Sequence, residues 1–164
     1  MVGFMSDVVL DTAGATGHPF EIVDCDPELA DTAAFCEAYG YRLGQSANAI
    51  VVVGKGDPRI YVCCLVLATT RLDVNGAVRR RLGRKKASFA SADETAELTG
   101  MQIGGVTPYG LPTDVPIWID GAIMNVPHVI VGGGSRDRKL LVHPASLAAL
   151  PGAEVVESLA KPIE

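Results

Sequence analysis

Two nearly continuous apolar runs, residues 47–54 (ANAIVVVG) and 59–68 (RIYVCCLVLA), flank the turn-forming KGDP at residues 55–58. Runs of this length, rich in β-branched residues, predict two central strands joined as a hairpin and buried on both faces. Upstream, FEIVDCD reads as a strand ending at Asp26. The same Asp26 is placed to cap a helix with Pro27 in its first turn, Leu29, Ala33 and Cys36 on its apolar face, and Gly40 as terminator. Downstream, Asp73 caps a helix with a Val74, Val78, Leu82 stripe that Gly83 ends. Ser91 and Glu94 have the spacing of a capping box for another helix, which Gly100 ends.

The short KASFA precedes that helix. After it, strands are expected at residues 101–106 (MQIGGV), 115–120 (VPIWID), 128–133 (HVIVGG) and 139–142 (KLLV). A short helix follows at residues 144–150, and AEVVESLA finishes the pattern. Strands and short helices alternate irregularly, without the even βαβ spacing of a doubly wound sheet. The expected class is α+β, a mixed and curved sheet with flanking short helices, in a single domain over residues 1–164. Residues 1–19 have no Lys or Arg and few long side chains, and read as a loosely held leader or a first edge strand.

Charge changes this picture in one place. The chain carries a net charge of −5, which argues against a protein that coats nucleic acid. Yet RRRLGRKK, residues 79–86, gathers six of the fourteen basic residues, including Arg79, Arg80, Arg84 and Lys86. So dense a cluster suits the phosphates of a polyanion, and the absence of interleaved aromatic rings favours the backbone of a structured RNA end over a long single strand. A solvated helix face explains Arg79 and Arg80 equally well. Cys25, Cys36, Cys63 and Cys64 form no C-x-x-C pair and read as buried thiols, and the three histidines show no ligand spacing, so neither metal nor cofactor is expected. The amino terminus lacks the basic region of a signal peptide, and no apolar stretch is long enough to span a membrane, so a cytoplasmic protein is expected.

Two bare loops are the remaining candidates for chemistry. IGGVTPYGLP, residues 103–112, is too rich in Gly and Pro for a helix or a central strand. It is either a plain turn or a wall on which Gly104 and Gly105 let a substrate approach backbone groups while Pro108 fixes the shape. Tyr109 would then narrow the pocket or stack on a base, or else serve as a buried wall residue. VGGGSRDRK, residues 131–139, is either a hairpin turn or an anion nest, with Gly133 and Gly134 offering amides and Arg136 a bidentate grip. No triad and no carboxylate pair can be drawn from spacing, so any catalysis would rest on backbone electrostatics and positioning.

Read together, LGRKKASFASADETAELTGMQIGGVTPYGLP and VIVGGGSRDRKLLVHPASLAAL resemble the YbaK family, the prolyl-tRNA synthetase-associated editing domains. The order carries the likeness: Lys85-Lys86, Thr99-Gly100, Gly104-Gly105-x-x-Pro108-x-Gly110, then the glycine-rich turn. The resemblance implies a partly open, mixed β-barrel and a trans-editing aminoacyl-tRNA deacylase. Its partners would be the 3′ end of charged tRNA and an aminoacyl-tRNA synthetase. It implies a catalytic wall of Gly104, Gly105 and Pro108, flanked by Thr99 and Thr107, with Asn48 and Lys86 on the terminal adenosine. The family's deacylases typically carry a lysine at the start of the first central strand, and here Asn48 stands in its place. Either Lys86 or a neighbour supplies the charge from another strand, or this chain is a binding module that has lost hydrolysis.

Overall fold

The expected hairpin is the centre of the molecule, with β2 (Ala47–Gly54) antiparallel to β3 (Ile60–Leu67). A computed structural model of the chain describes residues 7–163; residues 1–6 of the expected leader lie outside the described residues. Alternation along β3 explains why its sequence is apolar throughout. Cys63 and Leu65 enter one core while Cys64 and Val66 enter the other, so adjacent positions are buried on opposite faces. All four cysteines are free and buried, and desolvation pushes the Cys63 thiol up to about 12.

The hairpin nucleates a five-stranded mixed sheet in the order β5 (Ala87–Phe89), β2, β3, β6 (Ile117–Asp120), β9 (Ala153–Val156). The β5, β2 and β3 strands are antiparallel, whereas β6 and β9 run parallel to β3. A second, antiparallel sheet has the order β1 (Phe20–Asp24), β8 (Arg138–Val142), β7 (Val129–Gly132). The small ladder of β4 (Thr70–Leu72) with β10 (Ala160–Pro162) closes the carboxy-terminal side. A single bridge, Ser46 to Ile130, joins the edges of the two larger sheets. The result is the expected mixed and partly open barrel, with no closed ring of strands.

The main core fills the space between those sheets, where Leu65, Ile117 and Ile119 meet Val129, Val131 and Leu140. On the opposite face of the larger sheet, Val74, Val78 and Leu159 cover Val52, Cys64 and Trp118. Asp73 caps this covering turn as expected, accepting from the amides of Gly76 and Ala77. The turn runs through Val74–Val78 into α3 (Arg79–Leu82), and Gly83 ends it with φ +69°. The capping box at Ser91 and Glu94 forms at the start of α4 (Ala92–Thr99), and α5 (Pro144–Ala148) follows β8.

Three expectations fail for local reasons. Residues 8–15 are neither leader nor strand but α1 (Val8–Ala15), which buries Val9 and Ala13 in the main core. Its cap, Asp7, receives both Arg138 Nη atoms at 2.7 and 2.9 Å, a long-range clamp invisible to local pattern. The single helix drawn from Asp26 breaks into a turn at Pro27–Leu29 and α2 (Thr32–Tyr39), with a fresh start at Asp31. The break leaves the carbonyl of Ala30 free to accept a bond from outside. Residues 101–106 are not a strand, because Gly104 at φ +91° turns the chain and Gly105 N bonds back to Gln102 O at 2.9 Å.

The Arg138 guanidinium holds the Asp7 carboxyl below its ordinary value of 3.8. Between the lowered value and 3.8 the unfolded chain binds more protons, so this contribution is present above that window and lost as pH falls through it. Asp7→Asn keeps an acceptor for Leu10 but removes the charge. It lowers the unfolding midpoint by about 2–4 °C at neutral pH, as expected for roughly 1 kcal/mol from a partly exposed pair. Thermal scans across pH will show the gap to wild type closing in acid.

Candidate functional site

The site begins as an unpaired strand edge. β5 covers only Val52, Val53 and Gly54 of β2, so the first half of β2 has a free edge toward β7. Past the Ser46–Ile130 bridge the two strands splay, and a cavity of about 280 Å³ opens between them. Asn48 and Ile50 line one side and Ile130 and Gly132 the other, while Phe35 and Thr95 come from α2 and α4. Backbone donors and acceptors that would be spent in a closed barrel therefore face a ligand-sized space.

Asn48 is oriented. The Thr32 hydroxyl, in the first turn of α2, donates to Asn48 Oδ1 at 2.6 Å, which leaves the amide NH2 for other partners. Opposite it lies Lys139, a lysine only 6% exposed. Its Nζ donates to Ala30 O and Gly104 O, each at 2.6 Å, and sits 5.6 Å from the centroid of the Phe35 ring. Burial pulls its pKa below the ordinary 10.5, and Arg136 pushes in the same direction. Among the described residues no carboxylate pairs with it; Asp31 is engaged by Arg136.

The two bare loops meet each other. Gly134 N bonds to Gly105 O at 2.7 Å, and a Cβ on Gly105 would stand 2.6 Å from the backbone of Ser135. A Cβ on Gly132 would strike the carbonyl of Val106. Glycine is required at this seam because two backbones touch without room for a side chain. Gly104 lies on the cavity wall itself, with its carbonyl turned to Lys139.

Other expected site residues fall elsewhere. The ring of Tyr109 is wholly buried in the main core and its hydroxyl lies 2.7 Å from Ser146 Oγ, so it neither narrows the cavity nor reaches a base. Its ring is too apolar to leave exposed once Val9 and Ala13 cover the loop. Pro108 and Thr107 are buried behind the wall, and Thr107 Oγ1 has no hydrogen-bond partner among the described residues. Thr99 is spent on its helix end, donating to Thr95 O and accepting from Met101 N. Gly133 packs on Arg138 and Gly134 on Val9.

Arg136 buckles the wall from outside. Its donors go to Pro27 O, Ile103 O and Asp31 Oδ1, so an anion there must compete with three protein acceptors. Lys86 is exposed beside Lys55, at the far end of β2 from Asn48. Six residues of strand, roughly 20 Å at about 3.3 Å each, separate that end from Asn48. Arg84 lies against Gly56 at the same end, and Arg79 is bonded to Asn75 O and Arg84 O, leaving Arg80 exposed beside them. Arg81 leaves the cluster altogether to lie over Trp118 and pair with Glu154. Sequence reading passed over Lys139, Thr32 and Thr95; a lysine inside a strand that is apolar on both faces was the available signal.

The model of the family described as the aminoacyl-tRNA editing domain matches residues 26–150, and the chain belongs to that family. It is 26% identical over 135 residues to the uncharacterized protein YwhH of Bacillus subtilis, covering 82% of this chain and 83% of that one. It is 26% identical over 125 residues to the multifunctional Ser/Thr-tRNA deacylase ProXp-y of Escherichia coli, covering 75% and 74%. A solved structure described as a candidate trans-editing enzyme for prolyl tRNA synthetase superposes with a TM-score of 0.78 at 29% identity, covering 98% of this chain and all of the other.

The backbone seam makes one substitution diagnostic. Gly132→Ala forces β7 away from Val106, costs about 1–3 kcal/mol as overpacking does, and loosens the cavity wall. Urea unfolding measures the loss, and amide exchange at Gly134, whose N–H bonds to Gly105 O, reports the opened seam.

Proposed function

We propose that this member of the editing-domain family is a free-standing, trans-editing deacylase that hydrolyses the ester of mischarged tRNA. The observation that carries the reading is the cavity between β2 and β7, walled by bare backbone and floored by Asn48. An aminoacyl ester is already activated toward attack, so fixed donors at the developing oxyanion, with a positioned water or ribose hydroxyl, suffice without a side-chain nucleophile. The free edge of β2 and the oriented NH2 of Asn48 offer such donors. Gly104 forms the wall that the ester approaches, and Gly105 and Pro108, buried behind it, keep it rigid.

The relatives supply the substrate class. One is named as a Ser/Thr-tRNA deacylase and a second is described as a candidate trans-editing enzyme for prolyl tRNA synthetase. By this reading the protein works where charged tRNA is made, in the cytoplasm, alongside a synthetase. Among the described residues no helix is long and apolar enough to cross a membrane. The cations at the Gly54 end of β2, Arg79, Arg80 and Arg84 with Lys86, would meet phosphates upstream of the charged end while the ester sits in the cavity.

A panel of tRNAs mischarged with small amino acids tests the reading. The purified protein is expected to release at least one amino acid well above the spontaneous rate; no acceleration on any member of the panel refutes it. Changing Arg79, Arg80 and Arg84 together to Ala is expected to weaken tRNA binding and to flatten its dependence on salt by about two to three phosphate contacts. Unchanged affinity and salt slope would remove the cluster from the interface while leaving the cavity assignment intact.

A further inference from the structure

We propose that Lys139 of β8 is the cation of this site, supplying from a neighbouring strand the charge that Asn48 does not. The inference rests on the deacylase reading and concerns which residue meets the substrate's anionic oxygen.

Lysine is almost never buried without a partner of opposite charge. Lys139 is 6% exposed, and both of its hydrogen bonds go to neutral carbonyls, those of Ala30 and Gly104. An ammonium has three protons, so one is left without a protein acceptor among the described residues. Lys139 is among the residues that line the cavity Asn48 lines, and its ammonium is bonded to the carbonyl of Gly104 on the same wall. A buried charge kept beside a cavity, at a cost in desolvation, is the arrangement expected where an anion arrives from outside.

The competing reading is purely structural, a lysine that merely ties two loops. A neutral donor would tie them without the cost of desolvating a charge, which the stronger hydrogen bonds of an ammonium to neutral carbonyls only partly offset. Lys86 cannot fill the role, because it lies at the opposite end of β2. Arg136 is not among the residues that line the cavity, and its donors are taken by three acceptors, Pro27 O, Ile103 O and Asp31 Oδ1.

In the reaction, a water oxygen adds to the ester carbon, the carbon–oxygen bond to the ribose breaks, and the ribose oxygen takes up the proton the water gives away. The products are the free amino acid and uncharged tRNA. Lys139 keeps its protons throughout and faces an oxygen anion. Two sources share that chemistry: the carbonyl oxygen as charge develops on it, and a phosphate of the terminal nucleotide.

The test compares wild type, Lys139→Gln, Asn48→Lys and the double variant on the best substrate of the tRNA panel. Glutamine keeps donors for Ala30 and Gly104 but removes the charge. Lys139→Gln is expected to lower kcat/KM about 10- to 100-fold, the loss typical of one charge-assisted bond. A fall in kcat identifies the developing oxyanion, and a rise in KM identifies the phosphate. Placing the charge back on β2, Asn48→Lys in the Lys139→Gln background is expected to recover at least tenfold, which a purely structural defect would not allow.

Lys139→Gln within threefold of wild type, or a double variant no better than Lys139→Gln, overturns the proposal. A second measurement needs no variant. In wild-type protein, the Lys139 side-chain resonances are expected to shift on adding a non-hydrolysable 3′-aminoacylamino adenosine monophosphate; resonances that stay in place at saturation overturn the assignment. Absence of any wild-type deacylation would instead strike the functional reading, which the binding measurement distinguishes from failure of the lysine assignment.

Discussion

A buried ammonium that forms no ion pair among the described residues holds the cavity in shape. Lys139 reaches from β8 to the carbonyl of Ala30 on one loop and of Gly104 on another. Neither carbonyl has a place in a ladder: Ala30 is freed by the break before α2, and Gly104 by the turn that replaces an expected strand. Two segments distant in sequence are thus held to one strand. Just outside, Arg136 repeats the arrangement, binding Pro27 O and Ile103 O on the same two loops. The pair of cations converts two irregular stretches into a fixed wall.

That wall requires bare backbone on both sides. The glycine-rich stretches near residues 104 and 133 read separately as two candidate ligand loops, yet each is the other's neighbour. Gly134 N donates to Gly105 O, and Gly132 lies where any side chain would strike Val106. Bareness therefore has two causes. At the seam it permits backbone contact, and only at Gly104 does it also border the cavity. Tyr109, which looks exposed to function when the loop is read alone, is the anchor that ties the loop to α5 through Ser146.

The cavity exists because the barrel does not close. A bridge between Ser46 and Ile130 brings β2 and β7 together, and their divergence beyond it leaves strand edge unpaired. An exposed edge is ordinarily a hazard, but here α2 and the glycine wall cover it while leaving space beside Asn48. The failure to pair is what presents backbone groups to the cavity.

Much of this was legible in the chain. Apolar runs fixed the central hairpin, and the Asp73 and Ser91 caps with Gly83 and Gly100 set the limits of two helical segments, because these signals are local in sequence. The family's order of motifs pointed to the wall and to the vacancy at Asn48. What the sequence could not determine depends on contacts between distant positions. The α1 helix is held by Arg138, the burial of Tyr109 by its neighbours, and the distance of Lys86 from Asn48 by the length of β2. Above all, only the tertiary fold placed Lys139, 91 positions from Asn48 by the numbering, in the same cavity, since charge acts through space rather than along the chain.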